Sequence, residues 1–197
     1  MDFAAYPDPY PDDTLPPVPV KIVIAGGFGV GKTTMVRAIS EIEPLTTEAE
    51  MTDAAMGIDD PGARLDKHTT TVAMDFGSIT IDRKLKLYLF GTPGQSRFGF
   101  MWDDLTEGAI GAVVVVDSGR LDDCFPAVDY FERAEVPFVV AVNAFHGQLS
   151  HDLEEVRWAL AVKEGVPVLW FDARDRISVR DTLLSLLDRA LEQAIAV

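Results

Sequence analysis

The stretch Val20–Arg37, VKIVIAGGFGVGKTTMVR, decides how the rest of the chain is read. It opens with Val20-Lys21-Ile22-Val23-Ile24, a run with the composition of a buried strand and too short for a helix. Glycine then interrupts it. Gly26-Gly27-Phe28-Gly29-Val30-Gly31-Lys32-Thr33 matches G-x-x-x-x-G-K-[ST] in full, and Thr34 to Ile39 resume with residues that form a helix. The motif therefore sits between a strand and a helix, the setting that its chemistry requires.

That chemistry explains the residue types. A polyphosphate has to be wrapped by successive backbone N–H groups, and glycines at 26, 29 and 31 allow backbone angles and close approaches that bulkier residues forbid. Lys32 supplies an ammonium between the terminal phosphates, the Thr33 hydroxyl ligates Mg²⁺, and the N-terminus of the following helix adds partial positive charge. Phe28, Val30 and Thr34 complete the phosphate-binding segment.

Composition bounds the partners. With 197 residues the chain fits one domain large enough to bury a core without disulfides or a structural metal. Its net charge of -15 and pI near 4.4 argue against nucleic acid or an anionic membrane surface as the main partner. A nucleotide is also an anion, so the phosphate site has to overcome the global field locally. The single cysteine, Cys124, points to a reducing cytoplasm, and no Cys/His cluster points to zinc. The most apolar run, Ala109 to Val116, is far short of a membrane span, and neither end carries a lipidation motif. Any membrane association is expected to come through a partner.

Residues 1–19 hold prolines at 7, 9, 11, 16, 17 and 19 among acidic residues and read as a disordered tail ahead of a domain over residues 20–197. After Pro44, Leu45 to Thr70 lack clear periodicity, and so long an irregular segment reads as a functional switch. Thr71–Ile81 and Leu85–Phe90 alternate as strands around a polar turn and predict an antiparallel hairpin. From Ala109 onward strand and helix patterns alternate, at 109–117, 122–133, 137–142, 152–164, 166–171 and 178–195. The expected fold is α/β, a mostly parallel six-stranded sheet with helices on both faces.

Beyond the phosphate loop (P-loop), Thr71-Val72-Ala73-Met74-Asp75-Phe76 resembles the switch I segment of Ras-like small GTPases, in which a threonine precedes a strand; Thr69 and Thr70 stand close by. Gly91-Thr92-Pro93-Gly94-Gln95-Ser96-Arg97-Phe98 resembles the D-x-x-G-Q of switch II. Within that superfamily the wording LFGTPGQSRFGFMWDDL, GAIGAVVVVD and PFVVAVNAF is most similar to the GTPases of bacterial conservon operons, relatives of the gliding-motility GTPase. The resemblance implies a signalling switch that binds GTP and GDP with Mg²⁺ and works with a Roadblock-fold protein and a sensor-like protein. It gives Thr33 and Thr71 to the metal, the Gly94 N–H to the γ-phosphate, and Gln95 to the attacking water; Lys32, Thr71 and Gln95 are the catalytic candidates.

Departures from the pattern carry information of their own. Gly91 stands where the superfamily has an aspartate that holds a Mg²⁺-bound water, so weaker Mg²⁺ affinity is expected. Phe28 places a side chain that intrudes on the γ-phosphate region and on an arginine finger arriving from outside, and together with Gly91 it implies slow unassisted hydrolysis; Arg64 and Arg97 are candidate fingers in cis or solvated loop charges. The N-K-x-D base motif appears as Asn143-Ala144-Phe145-His146, where Asn143 ties base to P-loop and His146 replaces the carboxylate facing guanine. Asp172-Ala173-Arg174 resembles the S-A-K loop, whose alanine N–H meets the guanine oxygen. Phe100, Met101 and Trp102 form either a partner surface or a filling against the next helix, and Cys124 is expected to be packed.

Overall fold

The computed structural model describes residues 16–52, 69–82, 84–94, 99, 101–145, 147 and 150–195. Seven strands form one sheet in the order β2-β3-β4-β1-β5-β6-β7. They are β1 (Val18–Gly26), β2 (Leu45–Thr52), β3 (Thr69–Asp82), β4 (Leu85–Gly91), β5 (Ala109–Val116), β6 (Phe138–Asn143) and β7 (Val168–Phe171). The helices are α1 (Lys32–Ile39), α2 (Trp102–Thr106), α3 (Phe125–Ala134), α4 (Leu153–Ala159) and α5 (Arg176–Ile195). Strands β4, β1, β5, β6 and β7 run parallel, while β3 is antiparallel to both β4 and β2.

This is the expected mostly parallel α/β sheet with one strand more. The addition is β2, which pairs along β3 from Leu45↔Phe76 to Thr52↔Thr69. Its sequence, LTTEAEMT, alternates only weakly, with Leu45, Ala49 and Met51 set against Thr46, Glu48, Glu50 and Thr52 and with Thr47 interrupting the apolar set; the open edge of β3, whose unpaired N–H and C=O groups favour another strand, completes the case. The irregular segment expected over 45–70 therefore begins as a strand, and residues 53–68 lie outside the described residues.

Strand β1 also starts at Val18, two residues inside the expected tail, whose residues 1–15 lie outside the described ones. The Val18 N–H donates to the Lys84 carbonyl and the Ile24 carbonyl accepts from Thr92, so even-numbered positions face β4. Pro19 faces the other way, toward β5, whose pairing starts only at Lys21, and its missing N–H costs no ladder bond.

Strands β5 and β6 are buried almost throughout, because helices cover both faces. Helices α1 and α5 touch each other on one face, with α5 against β5 and β6. On the other, α2 and α3 pack on β5, and Trp102 lies edge-on to Tyr130 at 5.1 Å and stacked on Phe131 at 6.3 Å between ring centres. Trp102 is thus part of the core, 6% exposed, and fills the groove against α3; Phe100 lies outside the described residues. Cys124 is packed as expected, and burial raises its thiol pKa. The C-terminal ends of β1, β4, β5 and β6 converge on one rim of the sheet, the place where open α/β sheets hold ligands.

Candidate functional site

The P-loop joins β1 to α1 at the centre of that rim. Gly26 has φ 134°, and a Cβ there would lie 2.2 Å from the Val115 carbonyl oxygen, so the turn forms directly against β5 and only glycine fits. Gly31, at φ 113°, is the N-cap of α1; a Cβ on it would stand 2.6 Å from Asn143 Nδ2 and 3.3 Å from Ala173 Cβ. That close approach brings the P-loop against the segments expected to meet the base.

Lys32 is buried, and its Nζ donates to the carbonyls of Gly26 at 2.9 Å and Gly27 at 2.5 Å. Burial lowers its pKa to about 8, against an opposing push from the Asp75 carboxylate. The Thr33 hydroxyl donates to Asp75 Oδ2 at 2.5 Å. Asp75 is buried on β3, where its register partner across the hairpin is Gly91. A Cβ built on Gly91 would lie 3.1 Å from Asp75 Cβ and 3.3 Å from its Oδ2. The Asp75 carboxyl thus comes from the neighbouring strand into the space a side chain at 91 would use.

Gly94 stands against the same loop, since a Cβ on it would fall 2.8 Å from Lys32 Nζ and 2.8 Å from Phe28 Cα. Together with Phe28, Thr33 and Asp75 these residues line a cavity of about 250 Å³. Thr92, in its wall, is buried with a hydroxyl that has no hydrogen-bond partner among the described residues. An orphaned hydroxyl beside a threonine and a carboxylate is a set of hard oxygen donors, the chemistry Mg²⁺ takes when phosphates and waters complete its shell. Thr33 and Asp75 are the residues that would hold the ion.

Other expected residues fall as follows. Asn143 donates through Nδ2 to the Val30 carbonyl at 2.9 Å and accepts at Oδ1 from the Ala173 N–H at 3.1 Å. The Ala173 N–H that the resemblance gives to guanine is here spent on Asn143, as the two segments close under the P-loop. Arg174 turns back onto Asp172, 2.8 Å away, and that carboxylate raises its pKa. Thr34 and Phe28 are exposed at the rim, Phe28 at 67%. Thr71 pairs with Glu50 inside β3, four residues and so about 13 Å along the strand from Asp75. The structure does not bring Thr71 to Thr33. Gln95 and His146, like Arg64 and Arg97, lie outside the described residues.

Asp75 is the residue that sequence reading passed over. Its signal was available only in combination: a missing aspartate at 91 and an aspartate on the strand expected to pair beside it.

A glycine-wrapped cradle with a buried lysine, on the rim of a mostly parallel sheet, defines a P-loop nucleotide-binding fold. The chain belongs to the family described as "Conserved hypothetical ATP binding protein", whose model matches residues 24–193. It is similar to the uncharacterized protein MJ1339 of Methanocaldococcus jannaschii, 32% identical over 126 residues that cover 63% of this chain and 69% of that protein. It is also similar to the Ras-related protein RABA6b of Arabidopsis thaliana, 25% identical over 182 residues, 87% of this chain and 71% of that one. Among solved structures, the FeoB G-domain from Methanococcus jannaschii shares the fold with a TM-score of 0.56 at 16% identity, covering 88% of this chain and 98% of the G-domain.

Proposed function

We propose that this chain is a guanine-nucleotide switch of bacterial signalling that hydrolyses GTP slowly and with a partner's help. One observation carries the reading: Asp75, buried and bonded to the Thr33 hydroxyl, supplies the carboxylate whose place at 91 is taken by glycine. A chain that had lost its metal chemistry has no need of a carboxyl there. Lys32 and the loop N–H groups bind the phosphates, the Gly94 N–H meets the terminal one, and Gln95 orients the attacking water. Thr33 and Asp75 would hold Mg²⁺, which when bound would supply positive charge to offset that of the phosphates. Phe28, exposed at the rim of the cradle, intrudes on the region of the terminal phosphate, which slows unassisted turnover.

The likeness to conservon GTPases supports a Roadblock-fold regulator and a sensor-like protein as partners, in the cytoplasm and near the membrane only through them. Among the described residues no helix is long and apolar enough to cross a membrane. Gln95→Leu tests the hydrolytic half: turnover falls at least about tenfold with triphosphate affinity unchanged, as for a group that positions water. If the parent shows no turnover above blank even with its partner added, a binding adaptor replaces the switch.

The base is tested separately, because the family's description names ATP while the switch segments resemble GTPases. A neutral histidine at 146 accepts one hydrogen bond where a carboxylate accepts two with charge assistance, and discrimination drops by roughly 1 to 3 kcal/mol. Guanine nucleotides are therefore expected to bind with modest preference over adenine ones. That preference changes in His146→Asp. Competition titrations with GDP, ADP, IDP and XDP measure it; four unchanged affinities would show that residue 146 does not face the base.

A further inference from the structure

The loop after β5 reaches back to the P-loop through one side chain. Arg120 Nε donates to Asp117 Oδ2 at 3.1 Å, and its Nη2 donates to the Phe28 carbonyl at 3.4 Å. Asp117 is itself held, its Oδ1 accepting from the Gly119 N–H at 2.9 Å and its carbonyl from the Arg120 N–H at 2.9 Å. The same Nη2 would stand 3.5 Å from a Cβ on Gly29, so the guanidinium lies along the outer side of the Phe28–Gly29 peptide.

That peptide matters because it is planar and trans, so its C=O and its N–H point in opposite directions. A donor that holds the Phe28 carbonyl outward turns the Gly29 N–H inward. Gly29 has φ 73°, and glycine can readily reorient such a peptide unless something fixes it. We propose that Arg120, aligned by Asp117, is a positioning residue for polyphosphate binding: it fixes the Phe28–Gly29 peptide so that the Gly29 N–H faces the phosphate cradle. The inference rests on the nucleotide reading above.

Geometry and charge make different demands here. Acidic side chains come close to the P-loop, since a Cβ on Gly27 would lie 2.6 Å from Asp123 Cβ, and a plain counter-charge would help any anion. A lysine supplies the charge but not the planar fork that spans Asp117 and the Phe28 carbonyl together. The test is a titration of GDP and GTP onto the full chain and its variants Arg120→Ala, Arg120→Lys, Asp117→Asn and Asp117→Asn/Arg120→Ala.

Both Arg120 variants are expected to bind GDP and GTP about tenfold more weakly, the hydrogen bond being long and its gain modest. The deficit persists at about 0.5 M salt, where exposed charges are largely screened. The double variant is expected to be no weaker than Arg120→Ala, because Asp117 acts through the arginine. Parent-like affinity in Arg120→Ala, or full restoration by Arg120→Lys, overturns the proposal while nucleotide binding by the parent keeps the broader reading intact. A parent that binds neither nucleotide removes both.

Discussion

Lys32→Ala is expected to lower nucleotide affinity at least about a hundredfold, some 2.8 kcal/mol at about 1.4 kcal/mol per tenfold, while the melting temperature moves by only a few degrees. The two halves of that expectation have separate causes. The ammonium is the concentrated positive charge of the cradle, and charge-assisted contacts with phosphate are the strong ones. For the fold it is a burden, because burial holds its pKa near 8 instead of the ordinary 10.5. Between those values the unfolded chain holds a proton that the folded chain has released, so stability rises with pH across that window. Below it the burial penalty is present in full.

Nucleotide affinity runs the other way. Phosphate favours the charged lysine, so binding takes up a proton above pH 8 and weakens as pH rises further. Titration calorimetry of the parent from pH 7 to 10 is expected to show that decline, and the alanine variant to lack it. Equal retention of triphosphate by variant and parent would remove the P-loop assignment.

Asp75→Asn is expected to raise the Mg²⁺ concentration needed for half-maximal nucleotide retention by about ten- to a hundredfold, since even groups one step removed from a metal cost that much. Asparagine keeps the shape and can still accept from Thr33, so affinity measured in EDTA does not fall as the Mg²⁺-dependent affinity does. The strand geometry supplies a stricter version. Gly91→Asp alone sets a second Cβ 3.1 Å from that of Asp75 and crowds two carboxyls together, which favours protonation of one and weakens the site. Asp75→Gly combined with Gly91→Asp is expected to recover most of the Mg²⁺ dependence, because the carboxyl returns from the opposite strand. An unchanged Mg²⁺ requirement in Asp75→Asn would sink the assignment.

These residues also show what a one-dimensional reading reaches. The P-loop was legible because its chemistry fixes residue types at fixed local spacings, and Gly26 to Thr33 close their own geometry. Asp75 was hidden in an alternating strand pattern, and only the register that sets it opposite Gly91 gives it meaning. Arg120 lies 92 positions from the carbonyl it holds. Strand β2 escaped for a different reason: its alternation is short and weak, with a threonine at 47 breaking the set of Leu45, Ala49 and Met51, and pairing along its partner's free edge reinforces it. Trp102 was ambiguous because an aromatic beside switch II can serve a core or a partner equally well, and packing on Tyr130 and Phe131 resolves it.

The side chain of Asn143 ties Val30, 113 positions away, to Ala173, 30 positions away in the other direction. Contacts of such sequence separation form late, after the closure entropy of the intervening chain has been met. No fragment or early folding intermediate can therefore present the assembled site, and nucleotide in solution acts only on molecules whose sheet is complete. By mass action it draws the folding equilibrium toward them, by about 2.7 kcal/mol when free nucleotide stands at a hundred times its dissociation constant. The nucleotide is thereby also a folding ligand, and the persistence of this chain in a cell becomes coupled to the size of the nucleotide pool.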